Sequence, residues 1–373
     1  MRYQFFTNTP AHVHLYKHVI DELSGDGHAV SVLAREYGCT TDLLEHHDID
    51  HTVYGPCGTT KWSLLGRLPQ HYAHIIRHSR EFDPDMVFGM GAYAAHTGAL
   101  TRTPTVLVLD SEPTGLDHTV SMPFAETIVT PGAFRKDLGE KHYTFEGFKE
   151  CAYLHPEVYE PAVDVRELLE LEADERFGVV RFNAFGSHHD VGHAGFGREQ
   201  RRALVERLAE DLTVFVSDEG SDIDIDRLPA RPYDAPPGAL HDVLNEATLL
   251  VADTQTMVTE AALLGTPAIR SNSFVGANDM GNFIELEANE LVYNHESFSE
   301  VLETIDRLLS TPNLESLWKR RRDAYVDELE NLTQIITELA RTRGNTQSVA
   351  ALEPRGQSPG RPACESRPST PSQ

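Results

Sequence analysis

The chain has 373 residues, more than one hydrophobic core usually organises, so two domains with additions are expected. Acids outnumber bases 58 to 32, a formal charge of -26 spread through most of the sequence, which argues against a nucleic-acid partner. Only Lys17, Lys61, Lys136, Lys141, Lys149 and Lys319 are lysine and the other bases are arginine, a balance suited to a halophilic cytosol, where screening over roughly 3 Å removes self-repulsion.

Short apolar runs alternate with helical patterns through the first 150 residues. "YQFF" is followed by a helix at 14–24, "AVSVLA" by helices at 41–47 and 63–80, and "MVFGM" by a helix at 92–100; "TVLVLD" and "TIVTP" complete the series. This rhythm predicts βαβ units and a parallel sheet. A polar crossing near 149–163 leads to a second set: "FGVVRF", helix 198–210, "LTVFVS", helix 239–247, "TLLVAD", helix 255–264 and "PAIRS". The expected architecture is α/β, two Rossmann-like doubly wound parallel-sheet domains (1–150 and 151–312) whose strand carboxyl ends face a common cleft. A long C-terminal helix is expected over 313–342, and the Pro-, Ser- and Gly-rich segment 343–373 is expected to be disordered.

"YQFF" is too short for a signal peptide core and nowhere do about 18 apolar residues run together, so a cytoplasmic location is expected. Cys39, Cys57, Cys151 and Cys364 lack C-x-x-C spacing, which fits reduced thiols better than a zinc ribbon.

The segment "VADTQTMVTEAALLGTPAIRS" carries the most chemistry. A buried strand ends at Asp253, a helix follows, and Gly265 stops it. A helix that starts just past a parallel strand points free N–H groups and its positive dipole end at the cleft, which favours a phosphate without any lysine. Thr254 and Thr256 add hydroxyls, and Glu260, one turn on, can accept both hydroxyls of a ribose.

"TMVTEAALLGTPAI" resembles the donor-site segment of GT-B glycosyltransferases and of the related UDP-N-acetylglucosamine 2-epimerases. "NTPAHVHLYKHVIDELSGDGHAVSVLAR" resembles the first unit of the same superfamily, and its Asn-x-Pro-x-His-Val-His opening, with the late "GTP" turn, is most similar to the prokaryotic family known as domain of unknown function 354. The resemblance spans roughly 1–340 and implies a GT-B fold, a helix N-terminus at the donor diphosphate and a glutamate at the ribose. It also implies a histidine near the reactive centre in the loop after the first strand, where His12 and His14 stand; a neutral imidazole there is a sensible base for an acceptor hydroxyl.

Other groups fit around this frame. "VVRFNAFGSHHDVGH" places Arg181, His188, His189, Asp190 and His193 at the end of a second-half strand, read as a polar loop over the donor phosphates rather than a metal site, with Arg181 pairing charge. The Asp-x-Asp spacing in "SDEGSDIDID" is read as a solvated edge. "LVLDSEPTG" puts Asp110 and Glu112 at the cleft, the strongest pointer to epimerisation, although "FGMGAYAAH" lacks the second carboxylate that the 2-epimerases place there. Residues 51–80 contain no acid, and Lys61, Arg67, Arg77 and Arg80 stand beside Trp62, Leu64, Leu65, Leu68 and Tyr72, so 61–80 is the segment expected to touch the inner membrane face.

The expected function is a metal-independent, nucleotide-sugar-dependent glycosyltransferase of GT-B type with no required cofactor. The donor, a UDP-sugar, would sit at Thr254, Thr256 and Glu260 with Arg181 near the phosphates. The acceptor, a cell-surface glycan or lipid-linked molecule, would approach Asn8, His12 and His14. The alternatives are a UDP-sugar 2-epimerase using Asp110 or Glu112, and a non-catalytic nucleotide-sugar-binding protein.

Overall fold

In the computed structural model of the chain, the described residues are 1–56, 61–113, 115–184, 194–276 and 279–355. The first sheet is built from β1 (Arg2–Thr7), β2 (Ala29–Glu36), β3 (His51–Pro56), β4 (Met86–Gly89), β5 (Thr105–Val108), β6 (Thr127–Pro131) and β7 (His142–Phe145). The second is built from β8 (Phe177–Phe182), β9 (Thr213–Asp218), β10 (Arg231–Pro232), β11 (Leu249–Ala252), β12 (Ala268–Arg270) and β13 (Val292–Asn294). A last strand, β14 (Glu353–Pro354), returns to the first sheet and pairs antiparallel with β7. The orders are β14-β7-β6-β5-β4-β1-β2-β3 and β10-β9-β8-β11-β12-β13. The order reverses beside β1 and again beside β8, and such switch points open a crevice at the strand carboxyl ends.

Central strands are apolar on both faces because helices cover both: β4, β5, β6 and β11 are buried throughout. In the first half the covering helices are α1 (Pro10–Gly25), α2 (Thr40–His46), α3 (Lys61–Phe82), α4 (Ala92–Thr101) and α5 (Gly115–Ser121). Two short helices, α6 (Cys151–Leu154) and α7 (Val165–Leu168), lie along the crossing. The second half has α8 (Arg198–Leu208), α9 (Leu240–Glu246), α10 (Thr256–Leu264), α11 (Gly281–Ala288) and α12 (Phe298–Leu309). The chain ends with α13 (Leu314–Val326) and α14 (Leu332–Arg341). One core runs from Phe5 and Tyr16 through Tyr153 to Leu250 and Leu263, so the two halves share buried surface at the crossing.

The structure departs from the sequence expectations at three places. The first helix begins at Pro10, so His12 and His14 lie in its opening turns and not in a preceding loop; Thr9 is extended and Pro10, its φ preset, starts the helix. The helix expected over 313–342 is two, because Asn331 caps α14 by accepting from the N–H groups of Thr333 and Gln334. Residues 343–355, expected within a disordered tail, form a 3-10 turn and β14, with Val349 buried.

Candidate functional site

The second half supplies a strand, a turn and a helix end. β11 delivers Asp253, whose Oδ1 accepts from the N–H of Asn183 (2.6 Å) and whose Oδ2 accepts from that of Phe196 (3.2 Å). Burial pushes its carboxyl up to about 6 against the pull of these donors and of Arg201. Asp253 thereby ties both flanks of the loop after β8 to the start of α10. Among the described residues no side chain caps α10, and the hydroxyl of Thr254 just before it is buried without a partner. Thr256, half-buried, is the first residue of the helix. At the other end Gly265 adopts φ 77° and a Cβ there would lie 3.2 Å from the Lys319 backbone, so a glycine is needed to stop the helix.

One turn into α10, Glu260 is 3% exposed. Its Oε1 accepts from the Tyr153 hydroxyl (2.8 Å) and from Nε2 of His241 (3.1 Å), while Oε2 is buried with no partner among the described residues. Burial alone would raise this carboxyl; His241, Tyr153 and Lys149 outweigh it and hold it below the usual range. His14 of α1 closes the group, its ring 4.6 Å from His241 of α9 and 5.2 Å from Tyr153 of α6. Burial, with His241 and Lys17 beside it, holds the His14 imidazole well below its ordinary value. Thus Glu260 and His14, predicted for opposite halves, meet through Tyr153 and His241.

The first half contributes a second polar group around Lys149. Its ammonium donates to Asp110 Oδ2 (2.5 Å) and stands 3.5 Å from Glu150 Oε1. Both Lys149 and Glu150 are buried, and with Asp110, Glu112, Phe134, Phe148 and Asn282 they line a small cavity at the carboxyl ends of β5, β6 and β7. Asn282 comes from α11, so the second half closes this cavity. His12 lies within the field of Lys149 and Asp110; burial, then Lys149 and Arg35, bring its imidazole down to about 3. Its Nδ1 accepts from the N–H of Asn8 (3.2 Å), which leaves the ring proton on Nε2. Asn8 also accepts at Oδ1 from Tyr54 (2.6 Å).

The remaining predicted positions are held by other partners. Glu112 Oε1 accepts from the backbone N–H groups of Arg135 and Gly281, both 3.1 Å, and so bridges the halves as an N-terminal partner of α11. Arg181 is engaged by Ser217 and Glu219 along the second sheet. In the stretch read as a solvated edge, Asp218 is buried against Arg201 at 2.8 Å, whereas Asp222 is half exposed; a buried guanidinium draws one carboxylate inward. His188, His189, Asp190 and His193 lie outside the described residues, as do the side chains of Lys61, Trp62, Leu64 and Leu65. Lys149, Glu150 and Tyr153 lie at the start of the polar crossing near 149–163 and His241 on α9; the Lys-Glu pair between Phe148 and Cys151 is the only signal the sequence offers for them.

A family model described as "Protein of unknown function (DUF354)" matches residues 3–343. A search of curated proteins returns no match. Solved structures do match across both halves, and they establish the GT-B fold. UDP-GlcNAc 2-epimerase from Neisseria meningitidis, bound to UDP-GlcNAc, has a TM-score of 0.63 and 12% identity over 92% of this chain and 100% of its own. MurG of Acinetobacter baumannii has a TM-score of 0.57 and 16% identity, covering 91% of this chain and 99% of its own. The glycosyltransferase VinC in complex with dTDP has a TM-score of 0.60 and 16% identity, with the same 91% and 99% coverage.

Proposed function

The chain belongs to the DUF354 family, and we propose that it is an enzyme that transfers a sugar from a nucleotide diphosphate donor to a hydroxyl acceptor. The observation that carries this reading is Glu260: a buried carboxylate with one oxygen unpartnered, one turn behind an uncapped helix start and an unpartnered Thr254 hydroxyl. An unpaired buried oxygen costs about 1–3 kcal/mol, a cost that a ribose hydroxyl removes. The N-terminus of α10 then takes the diphosphate, with Thr254 and Thr256 as donors, and stabilises the charge that develops on it as the sugar leaves. The neighbours bound to UDP-GlcNAc and dTDP support a nucleotide-sugar ligand, and UDP is the form proposed for this chain.

The test is a thermal-shift panel of UDP, GDP and dTDP with their sugars, followed by product analysis. Stabilisation by UDP and release of UDP from a UDP-sugar are expected. With Glu260→Gln, the affinity for UDP should fall about tenfold, equal to roughly 1.4 kcal/mol for one lost charge-assisted bond. Equal affinity in the two proteins, or no shift with any nucleotide, overturns the donor site. The epimerase reading keeps one specific support, since Glu150 supplies beside Asp110 the second carboxylate that 88–96 lacks; a new sugar epimer formed without an acceptor would establish it.

The proposed acceptor is lipid-linked or glycan, and its approach is the α3–α4 face. These two helices carry Lys61, Arg67, Arg77 and Arg80 against Glu81 alone. Leu100 of α4 is 57% exposed, and Val120 and Phe124, 38% and 48% exposed, contact His96 of the same helix. Among the described residues no helix is long and apolar enough to cross a membrane, so contact would be peripheral. Vesicles containing phosphatidylglycerol should sediment the protein, and Phe124→Ser with Leu100→Ser should release it; failure to bind at both low and working salt refutes the membrane approach.

A further inference from the structure

The proposed transfer needs a proton acceptor, and the imidazole first suggested for it is badly placed. His12 accepts at Nδ1 from Asn8 and carries its proton on Nε2, so toward the cleft it is a donor. His14 packs on His241 and Tyr153 and does not line the Lys149 cavity. Asp110 is fixed on Lys149 at 2.5 Å, and Glu112 holds two backbone N–H groups. Glu150 is different: its contact with Lys149 is longer at 3.5 Å, it is buried, and it lines the cavity with Phe134, Phe148 and Asn282.

Resting on the donor site proposed above, we infer that Glu150 is the proton acceptor of the cleft. Its carboxylate takes the O–H proton of the acceptor as that oxygen bonds to the anomeric carbon. The bond from that carbon to the diphosphate oxygen breaks, the electron pair leaves with the diphosphate, and the proton on Glu150 passes later to water.

The charges that face Glu150 favour this role. Lys149 is the cation beside it; Asp110 and Glu112 share the cavity, Glu260 stands on α10, and Tyr153 and Cys151 on α6 complete its surroundings. Burial first, then Asp110 and Glu260, push the Glu150 carboxyl up to about 7 against the pull of Lys149. A carboxyl poised near the working pH is an efficient base, because it is part ionised yet basic enough to hold the proton it takes. A bound diphosphate adds negative charge to the same cleft and raises this carboxyl further, so binding takes up a proton at pH 7 and the base form grows as the pH rises above it.

The decisive experiment is calorimetric titration of the full chain with UDP at pH 7 in buffers of different ionisation enthalpy, on wild type and Glu150→Gln. The expected result is proton uptake in wild type that is lost in the variant, while the two affinities agree within about threefold. Release of UDP from a UDP-sugar should rise with pH in wild type, kcat/KM through about 7 and kcat at a higher pH. Glu150→Gln should lose that limb with kcat reduced and KM unchanged, and Glu150→Asp should restore part of the rate. Equal proton uptake and equal pH profiles in wild type and Glu150→Gln overturn the inference while leaving the donor site standing. Absence of UDP binding to wild type removes the donor site and this inference with it.

Discussion

His14 and Glu150 make opposite contributions to the pH dependence of stability, although burial shifts both. The His14 imidazole is held well below its ordinary value in the folded chain, so between pH 6.5 and that lower value the unfolded chain binds a proton that the folded one refuses. Its contribution is complete above pH 6.5 and is lost as the pH falls. Glu150, raised to about 7, keeps a proton that the unfolded chain releases, so its contribution is complete below about 4.5 and is lost as the pH rises through 7. On the acid side His14 acts with His12, brought to about 3, and with His18 and His47, each brought to about 4. Replacing His14 by Phe keeps an aromatic ring against His241 and Tyr153 and removes one titrating group. Urea unfolding at pH 7.5 and pH 5 should show the variant losing about 2 kcal/mol less than wild type, from roughly 1.4 kcal/mol for each pH unit below 6.5. Equal losses would mean that His14 does not titrate against the fold.

Among the elements, the strands legible in the sequence are those with a buried apolar centre. β4, β5, β6 and β11 are buried from both sides, β8 is so at all but Arg181, and the helices between them show the spacing of a face turned to a sheet. Strands at or near the sheet edges were harder to see. β3 has three exposed or half-exposed residues among its first three, β7 interrupts its pattern with His142 and Thr144, and β13 spans only three residues. The α13–α14 break was hidden because "ELENL" sustains helical character, and the deciding signal is a single Asn331 cap. The site divides in the same way. Thr254, Thr256 and Glu260 belong to one strand-turn-helix unit, so local spacing places them together. Lys149, Glu150, Tyr153 and His241 come from a crossing and a separate helix, and meet only when two sheets dock; no spacing in the chain encodes that. Asp110 and Glu112 show the limit from the other side. They are two residues apart at one strand end, yet one meets an ammonium and the other a helix N-terminus.

At the scale of the molecule, that second contact is one of the links that join the halves. Gly281 opens α11 against the first half so tightly that a Cβ there would lie 1.7 Å from the Ala133 carbonyl. Glu112 Oε1 receives the N–H of this same Gly281, and Arg135 donates through Nη1 to the Asp279 carbonyl at 3.2 Å. On the opposite side of the crossing the halves are joined differently: α14 follows the second half in sequence but packs on α1 and α6, and Arg341 pairs with Asp26 at 2.6 Å. The return of α14 and β14 to the first sheet makes the crossing a double connection, so any opening of the halves is expected at the Glu112–α11 contact. A carboxylate at a helix N-terminus in a partly buried setting contributes up to about 2 kcal/mol, enough to change an open-to-closed ratio by more than tenfold. Glu112→Ala should therefore shift the unliganded chain toward an open form, read as a larger radius of gyration by small-angle scattering. UDP should draw the variant back toward the wild-type value, because its proposed seat at Glu260 touches Tyr153 and His241 on the hinge side and is left intact. Glu112→Gln, which keeps an acceptor oxygen for Gly281 but lacks the charge, should fall between the two. An unchanged radius in Glu112→Ala would place the closing force in the apolar core shared at the crossing instead.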